Sequence, residues 1–396
     1  MRTIRFISLV LPLLLVCAAP ALAVEVNAKQ AYIIDYDTGQ VLYEKNAHDR
    51  MPTSSMSKVA TVYMVFDALG KGALALDQTL PVSERAWRMQ GSKTFVPLGA
   101  DVTVEDLLRG VIIQSGNDAA IVLAEGLAGS EGEFALRMTD KMRNELGMTE
   151  TNFTNASGWP DENHYSTARD LTLLGRAMVK NFPEYYRYYS EKEFTYNNIK
   201  QGNRNPLLYR NIGVDGIKTG HTEAAGYGLM ASGVRDGRRV VMTLNGMENM
   251  QARADESAKM MEWALMSFRN LKLLEKNKTV VQAPVVMGLA TSVPLVAPQD
   301  LLVTVPRMGA SDAVTMKAVY NAPLIAPVRA GDEIGKIVVS VARMEPIEMP
   351  LLAGADVAGQ GFFKRLQSKI ELMVFGKQSG VKPIEALSAP AALPAQ

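Results

Sequence analysis

The sequence has very little cysteine, with a single residue, Cys17, among 396. Cys17 lies in an amino-terminal segment that we expect to be removed, so the mature chain has no disulfide and no thiol nucleophile. Stability must then come from a packed core. A chain of this length, with 47% hydrophobic and 21% charged residues, is long enough for two globular domains.

An excess of charge of either sign is also missing. The 42 Lys and Arg residues balance 41 Asp and Glu residues, and removal of residues 1–23 leaves 40 against 41. This near-neutral balance gives no electrostatic reason to expect nucleic acid as a partner. Long hydrophobic runs are absent too, because no stretch after residue 23 reaches the length of a transmembrane helix.

The amino-terminal segment has the pattern of a secretory signal peptide. Basic Arg2 and Arg5 precede an apolar run too short to span a bilayer, and the small residues at 21–23 offer a cleavage site. A lipoprotein signal that uses Cys17 is the disfavoured alternative, because Val16 is not the small residue expected before a lipidated cysteine. We therefore expect an exported protein.

The rest of the chain divides by composition into four segments. Residues 24–278 combine amphipathic helices with β-branched strands, which predicts an α/β domain whose sheet is covered by helices. Residues 279–355 contain only short β-branched runs between Pro and Gly, which predicts a small all-β domain. Residues 356–376 include a helix with one apolar side and a basic flank, and the Pro- and Ala-rich residues 377–396 are expected to be disordered.

Local patterns predict several elements of the α/β domain. Residues 31–45 are expected to form a hairpin that turns at residues 37–39. Residues 132–147 have apolar side chains at helical spacing. An apolar helix follows residues 53–55, and each of these three hydroxyl residues could cap its start.

A serine and a lysine stand at the beginning of that apolar helix. Ser55 and Lys58 are three residues apart, so the hydroxyl and the amine share one face of the first turn. A serine hydroxyl is a weak nucleophile without an adjacent base, and Lys58 can be that base only if burial or a neighbouring cation lowers its pKa. Taken alone, a helix cap followed by a solvated lysine is the commoner interpretation.

Two later stretches could complete a catalytic site. Ser115 and Asn117 could relay a proton and orient a carbonyl, although a plain turn between helices uses the same residues. Lys218, Thr219 and Gly220 could bind a terminal carboxylate along a strand, although a strand end also accounts for them. In this order the three motifs correspond to the set of class A β-lactamases and penicillin-binding proteins, whose second motif has aspartate where this chain has Gly116.

With these motifs the chain resembles the low-molecular-weight penicillin-binding proteins, which are D-alanyl-D-alanine carboxypeptidases. The resemblance runs from about residue 28 to residue 376 and includes longer matches at 115–119, 165–170 and 214–227. It implies a serine β-lactamase-like domain, with an antiparallel sheet flanked by a helical subdomain. A small sandwich-like all-β domain and a carboxy-terminal amphipathic helix would follow.

The resemblance also implies a role for each motif residue. Ser55 would be the acylated nucleophile and Lys58 its general base. Ser115 would relay a proton with the help of Lys218, and Asn117 would bind the acyl amide of the substrate. These roles describe an activated serine that forms a covalent acyl-enzyme.

Further residues would hold the substrate. Thr219 and the backbone of Gly220 and His221 would line the strand beside it, and the N–H groups of Ser55 and His221 would form the oxyanion hole. Arg253 matches an arginine associated with the substrate carboxylate in this family, because a guanidinium pairs two-pronged with a carboxylate. The alternative for Arg253 is a surface arginine beside Asp255 and Glu256. Arg204 is a further candidate for shaping the pocket.

The implied reaction is acyl transfer. The serine attacks the bond between the last two D-alanines of a peptidoglycan stem pentapeptide, free D-alanine leaves, and water releases the acyl-enzyme. β-Lactams would be trapped on the same serine, and neither a metal nor an organic cofactor is required. The helix in 356–376 would lie in the membrane plane as an anchor at the periplasmic face of the bacterial inner membrane, a helix packed on the β domain being the alternative.

Three alternatives to this function were weighed. A serine β-lactamase would need a deacylating glutamate in a loop, and the corresponding loop contains Asp161 and Glu162 without a matching motif. The β domain and the anchor also favour the carboxypeptidase. A catalytically idle cell-wall-binding protein is disfavoured by the intact motifs, and endopeptidase action stays open as a second activity.

Overall fold

A computed structural model describes residues 24–307, 314–341, 345–361, 364 and 387–388. The predicted signal peptide and most of the predicted anchor helix lie outside these residues. Of the tail predicted to be disordered, only Leu387–Ser388 is described, and the prediction is wrong for these two residues because they form a strand paired with Thr315 and Met316. Within the described part, no helix is long and apolar enough to cross a membrane.

The first half of the chain is built on a five-stranded antiparallel sheet in the order β2-β1-β9-β8-β7. The strands of this part of the chain are β1 Gln30–Asp35, β2 Val41–Lys45, β3 Thr79–Pro81, β4 Asp101–Thr103, β5 Glu193–Tyr196, β6 Ile199–Gly202, β7 Val214–Thr222, β8 Gly226–Arg235 and β9 Arg238–Met247. Outside the five-stranded sheet, β3 pairs with β4 and β5 pairs with β6. The helices are α1 Lys58–Gly70, α2 Glu84–Arg88, α3 Val104–Arg109, α4 Asn117–Ala128, α5 Glu131–Leu146, α6 Ala168–Asn181 and α7 Met250–Met266.

The two faces of this sheet bury different helices. Successive side chains of a strand point to opposite faces, and neighbours on β1 accordingly join different cores. Ile33 packs in a cluster with Met261 of α7, whereas Ile34 belongs to a larger cluster with Leu174 of α6 and the other helices. The prediction of an α/β domain with a helix-covered antiparallel sheet is confirmed.

The predicted hairpin at residues 31–45 is confirmed by the pairing of β1 with β2. The predicted cap of the apolar helix is wrong. A 3₁₀ turn, Ser54–Ser57, runs directly into α1, and neither Thr53 nor Ser57 caps it with a side-chain hydrogen bond. The hydroxyls of this turn are therefore not used to cap the helix and have other partners.

From Phe268 to Ala353, the described chain forms strands and no helix, which confirms the prediction of an all-β domain. They are β10 Phe268–Leu274, β11 Thr279–Val286, β12 Ser292–Val296, β13 Leu301–Pro306, β14 Val314–Tyr320, β15 Leu324–Ile325, β16 Glu333–Val341, β17 Ile347–Ala353 and β18 Leu387–Ser388. A seven-stranded sheet has the order β15-β11-β12-β17-β16-β14-β18, and β10 pairs with β13. These strands bury a core of their own, which includes Leu295, Val303 and Ile337.

Candidate active site

A pocket of about 480 Å³ lies where the 3₁₀ turn before α1 meets the end of β7. Seven of the residues singled out in the sequence line it: Ser55, Ser115, Arg204, Thr219, Gly220, His221 and Arg253. Lys58, Asn117 and Lys218 are buried beside it. The fold thus brings the three sequence motifs to one place.

Lys58 is the most highly coordinated of these groups. It is fully buried, and its Nζ lies 3.0 Å from Ser55 Oγ, 2.7 Å from Asn117 Oδ1 and 2.5 Å from the carbonyl oxygen of Ser157. A neutral amine has two hydrogens and one lone pair. It can donate to the amide and the carbonyl and still accept the Ser55 hydroxyl proton, which is the geometry of a general base.

The environment of Lys58 favours the neutral amine. Burial, and after it the positive charge of Arg204, lowers the pKa of Lys58 to about 7. The sequence analysis proposed Lys218 as the neighbouring cation. Burial instead holds the pKa of Lys218 itself well below its ordinary value, with the charge of Lys58 as a further cause. Because a positive charge on Lys58 disfavours one on Lys218, the two buried amines do not readily carry charge together.

Ser55 is distinguished from the other two serines of its turn by its partner. Ser54 Oγ donates to Thr222 Oγ1 at 3.2 Å, and Ser57 Oγ lies 2.7 Å from His164 Nε2. Of the three hydroxyls, that of Ser55 alone is hydrogen-bonded to the buried amine. The same hydroxyl lines the pocket, so it combines a base with access to a substrate.

Ser115 presents its hydroxyl from an unusual backbone position. It ends the π-helix Gly110–Gln114 in the left-handed region, with φ of 68°. The residue is 1% exposed, and its Oγ has no hydrogen-bond partner within the described residues. An unpaired buried hydroxyl beside a pocket is available to a bound ligand.

Both polar atoms of the Asn117 side-chain amide are hydrogen-bonded. Its Oδ1 accepts from Lys58, and its Nδ2 donates to the carbonyl oxygen of Gln90 at 2.7 Å. Asn117 therefore orients the amine of Lys58. One Nδ2 hydrogen is left for a substrate carbonyl, and the predicted contact with the acyl amide stays a prediction.

The end of β7 forms one wall of the pocket. Lys218 and Thr219 are buried, and Lys218 Nζ donates to the carbonyl oxygen of Thr219 at 3.3 Å. Gly220 approaches the nucleophile turn closely, because a Cβ there would lie 3.0 Å from the Thr53 carbonyl oxygen. His221 stacks on Tyr227, with ring centroids 3.9 Å apart.

Arg253 reaches the same wall from α7. Its guanidinium lies 5.5 Å from the centroid of the Tyr227 ring, and the residue is 8% exposed. The alternative of a surface arginine beside Asp255 and Glu256 is wrong, because Arg253 is buried and these two carboxylates pair with Arg210 and Lys259. Burial lowers the pKa of Arg253, and its Nε has no partner among the described residues. The side chain is a buried cation ready for an anionic group.

Sequence reasoning missed the loop beneath the nucleophile. Asn155 Oδ1 accepts hydrogen bonds from three successive backbone N–H groups, those of residues 157–159, and so fixes the loop. The loop supplies the Ser157 carbonyl to Lys58. A backbone oxygen can belong to any residue, and only the Asn155-Ala-Ser-Gly turn pattern could have drawn attention to it.

A buried histidine supports the same turn from behind. His164 Nδ1 accepts from the Thr154 N–H at 3.1 Å, so its Nε2 carries the hydrogen and donates to Ser57 Oγ. Burial is the main cause that lowers the pKa of His164 to about 4. Within the described residues, no cluster of His, Cys, Asp or Glu is arranged to hold a metal ion.

Known proteins are similar to this chain over most of its length. The D-alanyl-D-alanine carboxypeptidase family matches residues 17–248, and the family of the penicillin-binding protein 5 C-terminal domain matches residues 268–358. The D-alanyl-D-alanine carboxypeptidase DacA of Haemophilus influenzae is 36% identical over 357 residues, which cover 89% of this chain and 91% of that protein.

Solved structures show the same similarity. Penicillin-binding protein 5 from Haemophilus influenzae superposes with a TM-score of 0.79 at 36% identity, covering 85% of this chain and 99% of that one. Penicillin-binding protein D2 from Listeria monocytogenes, in its cefotaxime-bound form, superposes with a TM-score of 0.55 at 30% identity, covering 60% of this chain and 97% of that one. From its motifs, its fold and these similarities, the chain belongs to the D-alanyl-D-alanine carboxypeptidase family.

Proposed function

We propose that this protein is a serine D-alanyl-D-alanine carboxypeptidase, which removes the terminal D-alanine from peptidoglycan stem pentapeptides. The observation that supports it most is the buried Lys58 amine, 3.0 Å from Ser55 Oγ and with a pKa of about 7. The names of its relatives support the substrate class. The same serine would be acylated by β-lactams, as the cefotaxime-bound relative suggests.

In the first half of the reaction, Ser55 Oγ attacks the carbonyl carbon of the penultimate D-alanine. Its proton passes to the neutral Lys58 amine. The oxyanion accepts hydrogen bonds from the backbone N–H groups of Ser55 and His221. The terminal carboxylate lies toward Arg253 and Thr219, because the buried guanidinium has an Nε without a hydrogen-bond partner among the described residues.

The acyl-enzyme forms when the bond between the two D-alanines breaks. The leaving amine takes the proton held by Lys58, relayed through the Ser115 hydroxyl, which has no competing partner among the described residues. In the second half, water attacks the acyl-enzyme carbonyl and gives a proton to Lys58. Lys58 returns this proton to Ser55 Oγ as the ester bond breaks, and the shortened peptide leaves with the free serine restored.

The β-lactamase alternative finds little support in the loop that follows α5. Asp161 and Glu162 are both exposed, and Asp161 Oδ1 accepts from the backbone N–H of Asn163. Neither carboxylate belongs to the pocket lining. Because no Asp or Glu of the described residues lines the pocket and could activate water there, a β-lactam acyl-enzyme should persist. Endopeptidase action on cross-linked peptides would use the same site.

Export and membrane attachment are part of the proposal. The segment 1–23 would direct secretion, and the apolar and basic residues after Gly361 would lie in the membrane plane and hold the enzyme at the periplasmic face of the inner membrane. The mature enzyme would thus work where its cell-wall substrate is.

The activity is tested by incubating the mature protein with a soluble pentapeptide that ends in D-Ala-D-Ala and assaying free D-alanine. We expect release by the wild type and none by Ser55→Ala. Ser54→Ala is the matched control, because its hydroxyl lies next in sequence but bonds to Thr222 instead of Lys58. No release by the wild type, or equal release by Ser55→Ala, would exclude the proposal.

A further inference from the structure

One corner of the β domain exposes two large aliphatic side chains. Leu289 is 74% exposed and Ile325 is 65% exposed, which puts them among the most exposed large hydrophobic residues of the described chain. Single exposed aliphatics are ordinary on protein surfaces. Two of them near one another, on segments that carry no charged residue, are less so.

The backbone places residues 289 and 325 at the same end of the β domain. Val286 pairs with Ile325 between β11 and β15, and Ala326 N–H donates to the Val286 carbonyl oxygen at 3.0 Å. A Cβ on Gly288 would lie 3.1 Å from Ala326 Cβ. Leu289 and Ile325 directly adjoin these residues, and together they form what we call the apolar corner.

The apolar corner lacks charge in both of its segments. No Asp, Glu, Lys or Arg occurs between Lys278 and Asp300, or between Lys317 and Arg329. Over residues 279–299 and 318–328 the chain therefore presents only apolar and neutral polar side chains. A surface patch without charges is not costly to transfer to the edge of a bilayer, whereas charged side chains would oppose the transfer.

The chain leaves the β domain at this same corner. Leu289 N–H donates to the Ala358 carbonyl oxygen at 2.8 Å, Gly288 bridges to Gly359, and Gln360 N–H donates to the Met287 carbonyl oxygen at 2.8 Å. The next residues of the sequence begin Phe362-Phe363-Lys364-Arg365-Leu366. The proposed membrane segment therefore starts beside Leu289.

We infer that the apolar corner is a second lipid contact, in which Leu289 and Ile325 enter the bilayer interface beside the anchor segment. This inference rests on the proposed membrane attachment. Two attachment points, one on the folded domain and one in the segment after Gly361, would fix the orientation of the β domain on the membrane. A single terminal helix on a short linker would leave that orientation free.

A fluorescent label can report lipid contact directly. The mature chain has no cysteine, so Leu289→Cys or Ile325→Cys carries a nitrobenzoxadiazole label at one site only. The labelled mature protein is mixed with phosphatidylethanolamine and phosphatidylglycerol vesicles with and without doxyl-lipid quencher. Leu136→Cys on α5 is the control, since Leu136 is also 65% exposed but lies in the other domain.

We expect labels at 289 and 325 to brighten with vesicles and to be quenched by doxyl-lipid, and the label at 136 to change little. Vesicle flotation without these two signals would overturn the inference and leave the anchor intact. Loss of flotation itself would overturn both. Iodide, a water-soluble quencher, is added to the labelled protein before the vesicles. If iodide does not quench the labels at 289 and 325, and doxyl-lipid does not quench them later, the segment after Gly361 packs on the corner instead. That result would also contradict the inference.

Substitution gives a second measurement. Leu289→Ser with Ile325→Ser should weaken vesicle partitioning by about tenfold, because two partly buried aliphatic side chains are lost from the bilayer interface. Leu136→Ser should leave partitioning unchanged. D-alanine release from a soluble peptide should be the same in all three proteins. Unchanged partitioning of the double variant would contradict the inference.

Discussion

At the scale of single residues, the reactivity of Ser55 depends on the charge of one amine. Lys58 is buried among uncharged partners, and burial alone favours its neutral form. The nearby Arg204 guanidinium reinforces this effect, and its Nη1 donates to Ser92 Oγ at 2.6 Å on the pocket wall. The site therefore has a base that is available near neutral pH without a carboxylate or a histidine to generate it.

The first prediction concerns the pH dependence of acylation. Because Lys58 must be neutral, kcat/KM should rise with pH through an apparent pKa of about 7. Arg204→Gln removes a positive charge, raises the pKa of Lys58, and moves this acidic limb to higher pH. Activity near pH 7 should fall by about threefold to tenfold. The exposed Arg329→Gln in the β domain should leave the profile unmoved, and an unshifted limb in Arg204→Gln would exclude its role.

The second prediction concerns His164, which supports the nucleophile turn through Ser57. Its pKa of about 4 in the folded state lies below its unfolded value, so protonation favours unfolding. Stability should therefore fall as the pH drops from about 6.5 to 4, by roughly 3 kcal/mol from this residue.

Urea unfolding of His164→Gln at several pH values measures this contribution. The variant should lose most of that acid sensitivity, because glutamine does not titrate. The exposed His48→Gln provides the matched comparison and should keep the wild-type slope. If His164→Gln and wild type lose stability in parallel, the buried neutral histidine is not what makes the fold acid-sensitive.

At the scale of elements, the site is built where several loops meet a single rigid turn. The 3₁₀ turn that carries Ser55 has the loop around Gly158 on one side and the end of β7 on the other. A Cβ on Gly158 would lie 1.8 Å from the Ser54 carbonyl oxygen, and its φ is +77°. The loop can approach this closely only because residue 158 has no side chain.

The third prediction separates this contact from backbone strain. Gly158→Ala must displace the loop and with it the Ser157 carbonyl that holds Lys58, so kcat/KM should fall by about 100-fold. Gly147→Ala has a comparable φ of +66° but open space around it. It should cost about 1 kcal/mol of stability and leave the rate nearly unchanged. Equal rates in the two variants would show that the close packing at Gly158 is not needed.

The elements themselves could largely be predicted from the sequence. The hairpin at residues 31–45, the helix from Glu131 and the convergence of the three motifs follow from periodicity, turn residues and motif order. The Ser157 carbonyl and the Arg204 charge could not be predicted, because both depend on which loops meet in space. The cap expected at residues 53–55 failed because those hydroxyls have other partners. Thr53 bonds to Ser57, Ser54 to Thr222 and Ser55 to Lys58.

At the scale of the whole molecule, the α/β domain and the β domain are joined through the β1–β2 turn. Asn270 Nδ2 donates to Asp35 Oδ1 at 3.1 Å, and Thr38 and Thr304 share a hydrogen bond of 2.7 Å. The composition change near residue 278 predicts a boundary there. The strand β10 begins earlier, at Phe268, and its Leu271 packs against the β-domain core. The composition changes where charged residues become rare, and this point marks the boundary between the two domains only approximately.

The fourth prediction separates catalysis from membrane attachment. All of the pocket residues precede residue 254, and the proposed anchor follows residue 361. A mature chain that ends at Gly361 should release D-alanine from a soluble pentapeptide at a rate within about twofold of wild type and should no longer float with vesicles. Continued association with vesicles would assign attachment to another part of the protein.

The central claim is that Ser55, among three serines in one turn, becomes acylated. Benzylpenicillin labelling followed by tandem mass spectrometry of the peptide that contains Ser54, Ser55 and Ser57 tests it most directly. The account predicts one covalent adduct per chain on Ser55, retained in Ser54→Ala and absent from Ser55→Ala. An adduct on Ser54 or Ser57, or labelling that survives in Ser55→Ala, would contradict it.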